Sequence, residues 1–248
     1  MHFSDSPVLW IRLDPEITLL RSTNIEQPDY QWQYQLRHER DVIAQIEAIA
    51  SLERYPTPAT RLALTDTIEN EGTYYKVNID PPPEFRIFFC PVLIVCFSVK
   101  VRCKAAHCLT KVANAMIANW AGPPAMLTIF RKLFGSFSCP HIMKQNNFQN
   151  FQHYYLQKVI PPSFFYDFDT KNFSIHDENY IFQTIPIAMA GIRNVHGICP
   201  PDVIRFLLDL FKYNDNSKNL FSDNYYRASL IEALAASVTP VISVVQQG

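Results

Sequence analysis

Glycine is scarce in this chain, 6 of 248 residues, and no glycine-rich phosphate-cradling loop can be found in it. Charge of one sign is missing too, because 22 lysines and arginines stand against 23 aspartates and glutamates, for a net charge of −1. Such a balance offers no long field to hold a polyanion and argues against tight autonomous nucleic-acid binding. The six cysteines, Cys90, Cys96, Cys103, Cys108, Cys139 and Cys199, form no CxxC pair. The opening MHFSDS lacks the basic and apolar regions of a leader, so reduced thiols in a cytosolic or nuclear compartment are expected. Neither the HExxH of a zinc peptidase nor the GxSxG of a serine hydrolase occurs, and no catalytic residue or cofactor site is assigned. The longest apolar run, Phe85 to Val99, contains Arg86 and falls short of the roughly 20 residues a membrane span requires.

Proline is plentiful instead, 18 residues, and it punctuates helical patterns. The stretch WQYQLRHERDVIAQIEAIASLERYPTPATRLAL, from Trp32 to Leu64, reads as a long helix, a turn and a second helix. At 100° per residue, Trp32, Leu36, Ile43, Ile46 and Ala50 share one stripe. Glu39 sits near the centre of that stripe, where a carboxylate needs an arginine or several donors, and Arg61 across the turn is the candidate partner. Tyr55-Pro56 ends the first helix, and Thr57-Pro58 supplies an N-cap with proline at the first helical position. The second helix should run to Gly72. Further helices are expected over Val101 to Trp120, Ala125 to Phe134, Phe148 to Lys158, Pro201 to Tyr213 and Tyr225 to Ser237, with Gly135 to Asn147 a loop. The first residues, PVLWIRL from Pro7 to Leu13, look like an edge or end strand of something larger.

Arg102 with Ala105, Ala106 and Leu109 has the same spacing as Arg227 with Leu230, Ile231 and Leu234. An arginine opening an inner helix can bind carboxylates or helix-end carbonyls of the adjacent unit, as in stacked hairpins. The pattern predicts a mainly α fold, a HEAT- or armadillo-like array of helical hairpins over residues 29–248, with residues 1–28 as the end of a β domain and a linker. A zinc set of Cys139, His141, His196 and Cys199 can be written down, but its C-x-H and H-x-x-C spacings match no recurrent finger, and buried or surface thiols are the simpler expectation. Lys111, Arg131, Lys132 and Lys144 make the only basic cluster, readable as a solvated face or as DNA-phosphate contacts. The tyrosine pairs at 74–75, 154–155 and 225–226 are candidate partner anchors, more often one ring in the core and one at its margin.

Two stretches break the helical rhythm. VNIDPPPEFRIFFCPVLIVCFSVK, residues 77–100, carries a triple proline and then a β-branched, aromatic run. Without it Tyr75-Lys76 joins Val101-Arg102, giving YYKVRCKAAHCL, which matches NYYRASLIEAL at Asn224 to Leu234 more closely. VIPPSFFYDFDTKNFSIHDENYIFQ, residues 159–183, similarly interrupts a helical run. Each begins with valine after lysine, as AAG followed by GTN would encode, and the second ends in Phe-Gln, as TTTCAG would encode. Both are expected to be translated introns; a genuine β-rich loop is the alternative for the first.

Read without these stretches, SPVLWIRLDP, KVANAMIANWAGPPAML, FGSFSCPHI, ICPPDVIRFLLDLFKYNDNSKN and FSDNYYRASLIEALAASVTP, with the Trp32 stretch, resemble the family of the second-largest TBP-associated subunit of the general transcription factor TFIID. The resemblance implies an aminopeptidase-like β region passing into a HEAT-like array, of which this chain would hold the last strand or strands and the first units. It also implies a nuclear, non-enzymatic scaffold that supports core-promoter recognition around the initiator and assembly of the RNA polymerase II pre-initiation complex. Its partners would be TBP, other TBP-associated factors and, within the complex, promoter DNA. Asp41 to Ala48, DVIAQIEA, echoes an aminopeptidase helical-domain run but has Gln45 and Ile46 at its middle positions. The competing expectations are the C-terminal helical part of an active zinc aminopeptidase and a generic helical-repeat adaptor.

Overall fold

The computed structural model describes residues 8–13, 24–69, 90–117, 123–134, 185–217 and 223–239. Among them are eight α-helices: α1 (Asp29–His38), α2 (Val42–Leu52), α3 (Pro58–Glu69), α4 (Cys90–Ala115), α5 (Pro123–Phe134), α6 (Ile185–Ala190), α7 (Pro201–Lys212) and α8 (Asn224–Val238). The fold is mainly α and repeat-like. Consecutive helices pair, α1 with α2, α3 with α4 and α7 with α8, and α4 links the first pairs to α5 and α6. One apolar cluster extends from Trp32 and Leu36 of α1 through Leu109 and Val112 of α4 to Leu230 and Ala233 of α8. Alanines completely shielded from solvent, among them Ala44, Ala48, Ala63, Ala105 and Ala113, let the helix backbones approach closely.

The expected single helix from Trp32 to Arg54 is two helices. At Glu39 the backbone turns extended (φ −73°, ψ 141°), and it is still extended at Asp41 (φ −78°, ψ 124°). The Asp41 carboxylate then accepts the Ile43 amide at 2.9 Å and caps α2. The physical reason is the phase of the apolar residues. α1 buries Trp32 and Leu36 while α2 buries Ala48, Ile49 and Leu52, so the break leaves Ile43 58% exposed and Ala50 outside. Elsewhere the punctuation acts as expected. Thr57 Oγ1 accepts the Thr60 amide at 3.1 Å, and Pro58 is the first residue of α3. Pro200 and Pro201 open α7, and Thr239 closes α8.

α4 buries Val101, Ala105, Leu109 and Val112, with Met116 buried just past its end, the residues whose spacing predicted a helix. It begins earlier than expected, because the backbone from Cys90 to Lys100 continues the same helix. Residues 90–100 of the first interrupting stretch are therefore helical. A short apolar run carries no periodicity that separates strand from helix, so the β-rich loop kept as the alternative does not hold over these residues. The expected loop at 135–147, the helix at 148–158, residues 159–183 and the chain around Gly72 lie outside the described residues. So do Trp120, Lys144, Cys139, His141 and the tyrosine pairs at 74–75 and 154–155. No described helix is long and apolar enough to cross a membrane.

Residues 8–13 pair with no strand among the described residues. Their backbone is held by side chains: Gln27 Oε1 accepts the Ile11 amide at 2.8 Å, Gln27 Nε2 donates to the Ile11 carbonyl at 3.4 Å, and Gln31 Nε2 donates to the Val8 carbonyl at 2.9 Å.

Candidate interaction surface

Arg102 is 2% exposed, and its Nε donates to the carbonyl of Ile68 at 2.8 Å in the last turn of α3. A buried cation at the negative end of a helix satisfies a carbonyl that has no partner within its own helix. Arg227 does not repeat this role. It is exposed, with its guanidinium 5.9 Å from the ring of Phe211, so the spacing it shares with Arg102 does not extend to a shared environment. The second helix-end clamp is Arg193, which the sequence pattern did not reveal. It donates to Ala190 at 2.5 Å, to Ile192 at 2.9 Å, and across the fold to Ala236 at 3.0 Å and Thr239 at 3.3 Å, near the C-terminus of α8. Only its position just after α6, before a polar turn, hinted at this role.

Glu39 takes Arg12 as its partner at 3.3 Å instead of Arg61, and it also accepts the amides of Arg40 at 2.8 Å and Asp41 at 3.3 Å. Arg12 bridges to Asp41 at 2.5 Å as well. The correction follows from the break after α1, which turns Glu39 toward residues 8–13. Arg61 lies half-buried with its Nε lacking a hydrogen bond. Trp32 is core, 2% exposed.

The basic residues act as ties between helices. Lys111 Nζ lies 2.8 Å from Glu53 Oε1, joining α4 to the end of α2. Lys132 is 3.8 Å from Glu69, and the Arg131 guanidinium lies 5.3 Å from the Phe206 ring. Both arginine and lysine also fall in the last turn of α5, where a cation complements the helix dipole. Thr110 and Asn114, which no sequence motif singles out, join α4 to α6 and the turn after it. Thr110 Oγ1 donates to the Ala188 carbonyl at 2.9 Å, while Asn114 donates to the Gly191 carbonyl and accepts the Arg193 amide, both at 2.9 Å.

Among the described residues no three histidines, cysteines or acids are grouped to hold a metal. Of the four zinc candidates, His196 is exposed on a tight turn while Cys199 is buried. Burial pushes the Cys199 thiol up to about 11, against the opposing charge of Arg193. It pushes Cys103, beside Arg102, and Cys108, beside Glu53 and Lys111, to about 12. These are protonated core thiols, poor as nucleophiles and as ligands. Tyr226 is likewise buried and its hydroxyl raised, first by desolvation and then by Asp223.

The family model described as TAF2-like, TPR repeats matches residues 29–82, 95–165 and 168–248. The chain belongs to the TAF2-like family. TPR and HEAT units are both stacked helical hairpins, which agrees with the helix pairing seen. The TAF2-like match skips 83–94 and 166–167, each inside one of the two interrupting stretches. "Transcription initiation factor TFIID subunit 2" of Drosophila melanogaster is 57% identical over 244 residues, 98% of this chain and 16% of that protein. The protein of the same name from Gallus gallus is 48% identical over 241 residues, 97% and 16%, and that of Saccharomyces cerevisiae 30% over 227 residues, 90% and 13%. The chain thus spans about a sixth of the length of these TAF2-like relatives.

Proposed function

We propose that this chain is a helical scaffold section of a TFIID subunit, non-enzymatic and nuclear, which helps hold the complex at core promoters and assemble the RNA polymerase II pre-initiation complex. The observation that carries the reading is the family match along nearly all of residues 29–248, joined to relatives named TFIID subunit 2 at up to 57% identity. TBP and other TBP-associated factors are the partners this reading names. Residues 1–28 are the end of a β domain and its linker. Mass spectrometry of proteins co-purifying from nuclear extract with the tagged endogenous full-length product tests it. Recovery of TBP with its associated factors is expected. Peptidase activity or an unrelated set of partners instead would reject the reading.

Contact with promoter DNA is the finer part of the proposal, assigned to Lys111, Arg131, Lys132 and Lys144. Lys111 and Lys132 pair with carboxylates through side chains that are both 61% exposed, so phosphate can displace those weak partners. Alanine at the four positions should flatten the salt dependence of promoter binding by the whole complex, by about 0.9 in slope for each phosphate no longer neutralised. An unchanged slope removes DNA from the assignment and leaves the scaffold reading intact.

A further inference from the structure

Residues 8–13 are bound to the helical array as a peptide is bound to a receptor. The Gln27 side-chain amide meets both the N–H and the C=O of Ile11, as a neighbouring strand would. Gln31 meets the Val8 carbonyl. Both glutamines are buried, 3% and 8% exposed, and Gln27 is itself held: its Nε2 lies 3.4 Å from Gln35 Oε1, and its carbonyl accepts the Tyr55 hydroxyl at 3.1 Å. Gln35 in turn donates to the Ala44 carbonyl of α2 at 2.9 Å, so the clasp is braced by the next helix. At the end of the segment Arg12 enters a seat made by the Glu39 and Asp41 carboxylates, at 3.3 and 2.5 Å. Of the apolar side chains only Trp10 is half-buried; Val8 is 57% exposed, Leu9 44%, Ile11 47% and Leu13 50%.

We propose that the face formed by Gln27, Gln31, Glu39 and Asp41 is a docking groove for an extended apolar peptide bearing an arginine, with residues 8–13 of this chain as its occupant. The amides read backbone and tolerate varied side chains. The paired carboxylates read the guanidinium that directly follows the clasped residue, and this supplies the selectivity. Because it is held mainly by polar bonds and most of its apolar side chains stay exposed, the segment opens at a free-energy cost well below that of unfolding the helices.

The full chain carrying Arg12→Glu sets a like charge against the seat and expels the segment. Its Ile11 amide should then exchange with solvent at least ten-fold faster than in the native chain, while amides of α4 keep their protection. A fluorescently labelled peptide of residues 8–13 should bind the Arg12→Glu chain at least ten-fold more tightly than the native chain, whose groove is filled. Adding Gln27→Ala to that chain, or replacing the arginine of the peptide by alanine, should abolish the gain. Gln27→Ala alone, which leaves the charges untouched, should also release the Ile11 amide. Equal Ile11 exchange in the native and both variant chains overturns the proposal. So does peptide uptake no better with Arg12→Glu than without it, or uptake indifferent to the peptide arginine.

Discussion

At the scale of single residues, two arginines alike in sequence differ in consequence because only one is desolvated. Truncating Arg102 leaves the Ile68 carbonyl without its donor inside the core and opens a space where the guanidinium lay. Arg102→Ala should cost about 2–4 kcal/mol of unfolding free energy, whereas Arg227→Ala, at an exposed site, should stay within about 0.5 kcal/mol. Denaturant titration of both variants measures the difference, and equal losses would contradict the burial argument. The thiols make a separate prediction in pH. Cys103 and Cys108 are raised from 9.0 to about 12 in the folded chain, so between those values the folded state retains protons that the unfolded state releases. Their contribution is complete below about pH 9 and is lost as pH climbs toward 12. Stability should therefore fall on raising the pH from 8 to 10.5. The fall should be smaller in a chain with Cys103→Ala and Cys108→Ala, which removes these groups from the titration.

At the scale of elements, what could be read from sequence was local and what could not was a meeting between distant residues. The Thr57-Pro58 cap, the proline opening of α7 and the buried face of α4 from Val101 to Val112 each follow from a few neighbouring residues. The break between α1 and α2 was also written locally, with Asp41 an N-cap ahead of an apolar run, but the continuous charge of HERD and the nearly unbroken stripe concealed it. Arg193 reaching α8, Gln27 reaching Ile11 and Arg12 reaching Glu39 depend on how elements come together, and no periodicity encodes that. The joint between α4 and α6 is equally non-local and can be tested by size. A Cβ at Gly191 would lie 3.2 Å from both the Ala188 carbonyl oxygen and Thr110 Cγ2. Since one of these is backbone, Gly191→Ala should destabilise the chain by about 1–3 kcal/mol. A neutral result in thermal unfolding would mean that the turn after α6 yields more readily than its hydrogen bonds to Asn114 imply.

At the scale of the whole molecule, the two interrupting stretches decide what the array is. α3 ends at Glu69 and α4 runs from Cys90, so removing 77–100 would also take the first eleven residues of α4 and start it at Val101, just before the Arg102 that binds Ile68. With 77–100 removed, residues 70–76 alone join them, a length within the roughly 2–8 residues that connect helices in bundles. The helical hairpin can close without the stretch, because the bond from Arg102 to Ile68 joins residues on either side of it. The family match skips 83–94 of this stretch but takes in 77–82 and 95–100, and of the second stretch it skips only 166–167. If both stretches are inserts, a chain lacking 77–100 and 159–183 should keep the buried arginine clamp, unfold at the same or a higher temperature, and aggregate less, because one apolar run fewer is exposed during folding. Mature messages should cross both junctions without the intervening codons. A midpoint lowered by several degrees in the shortened chain, together with transcripts that retain both segments, would show instead that the stretches are working parts of the array.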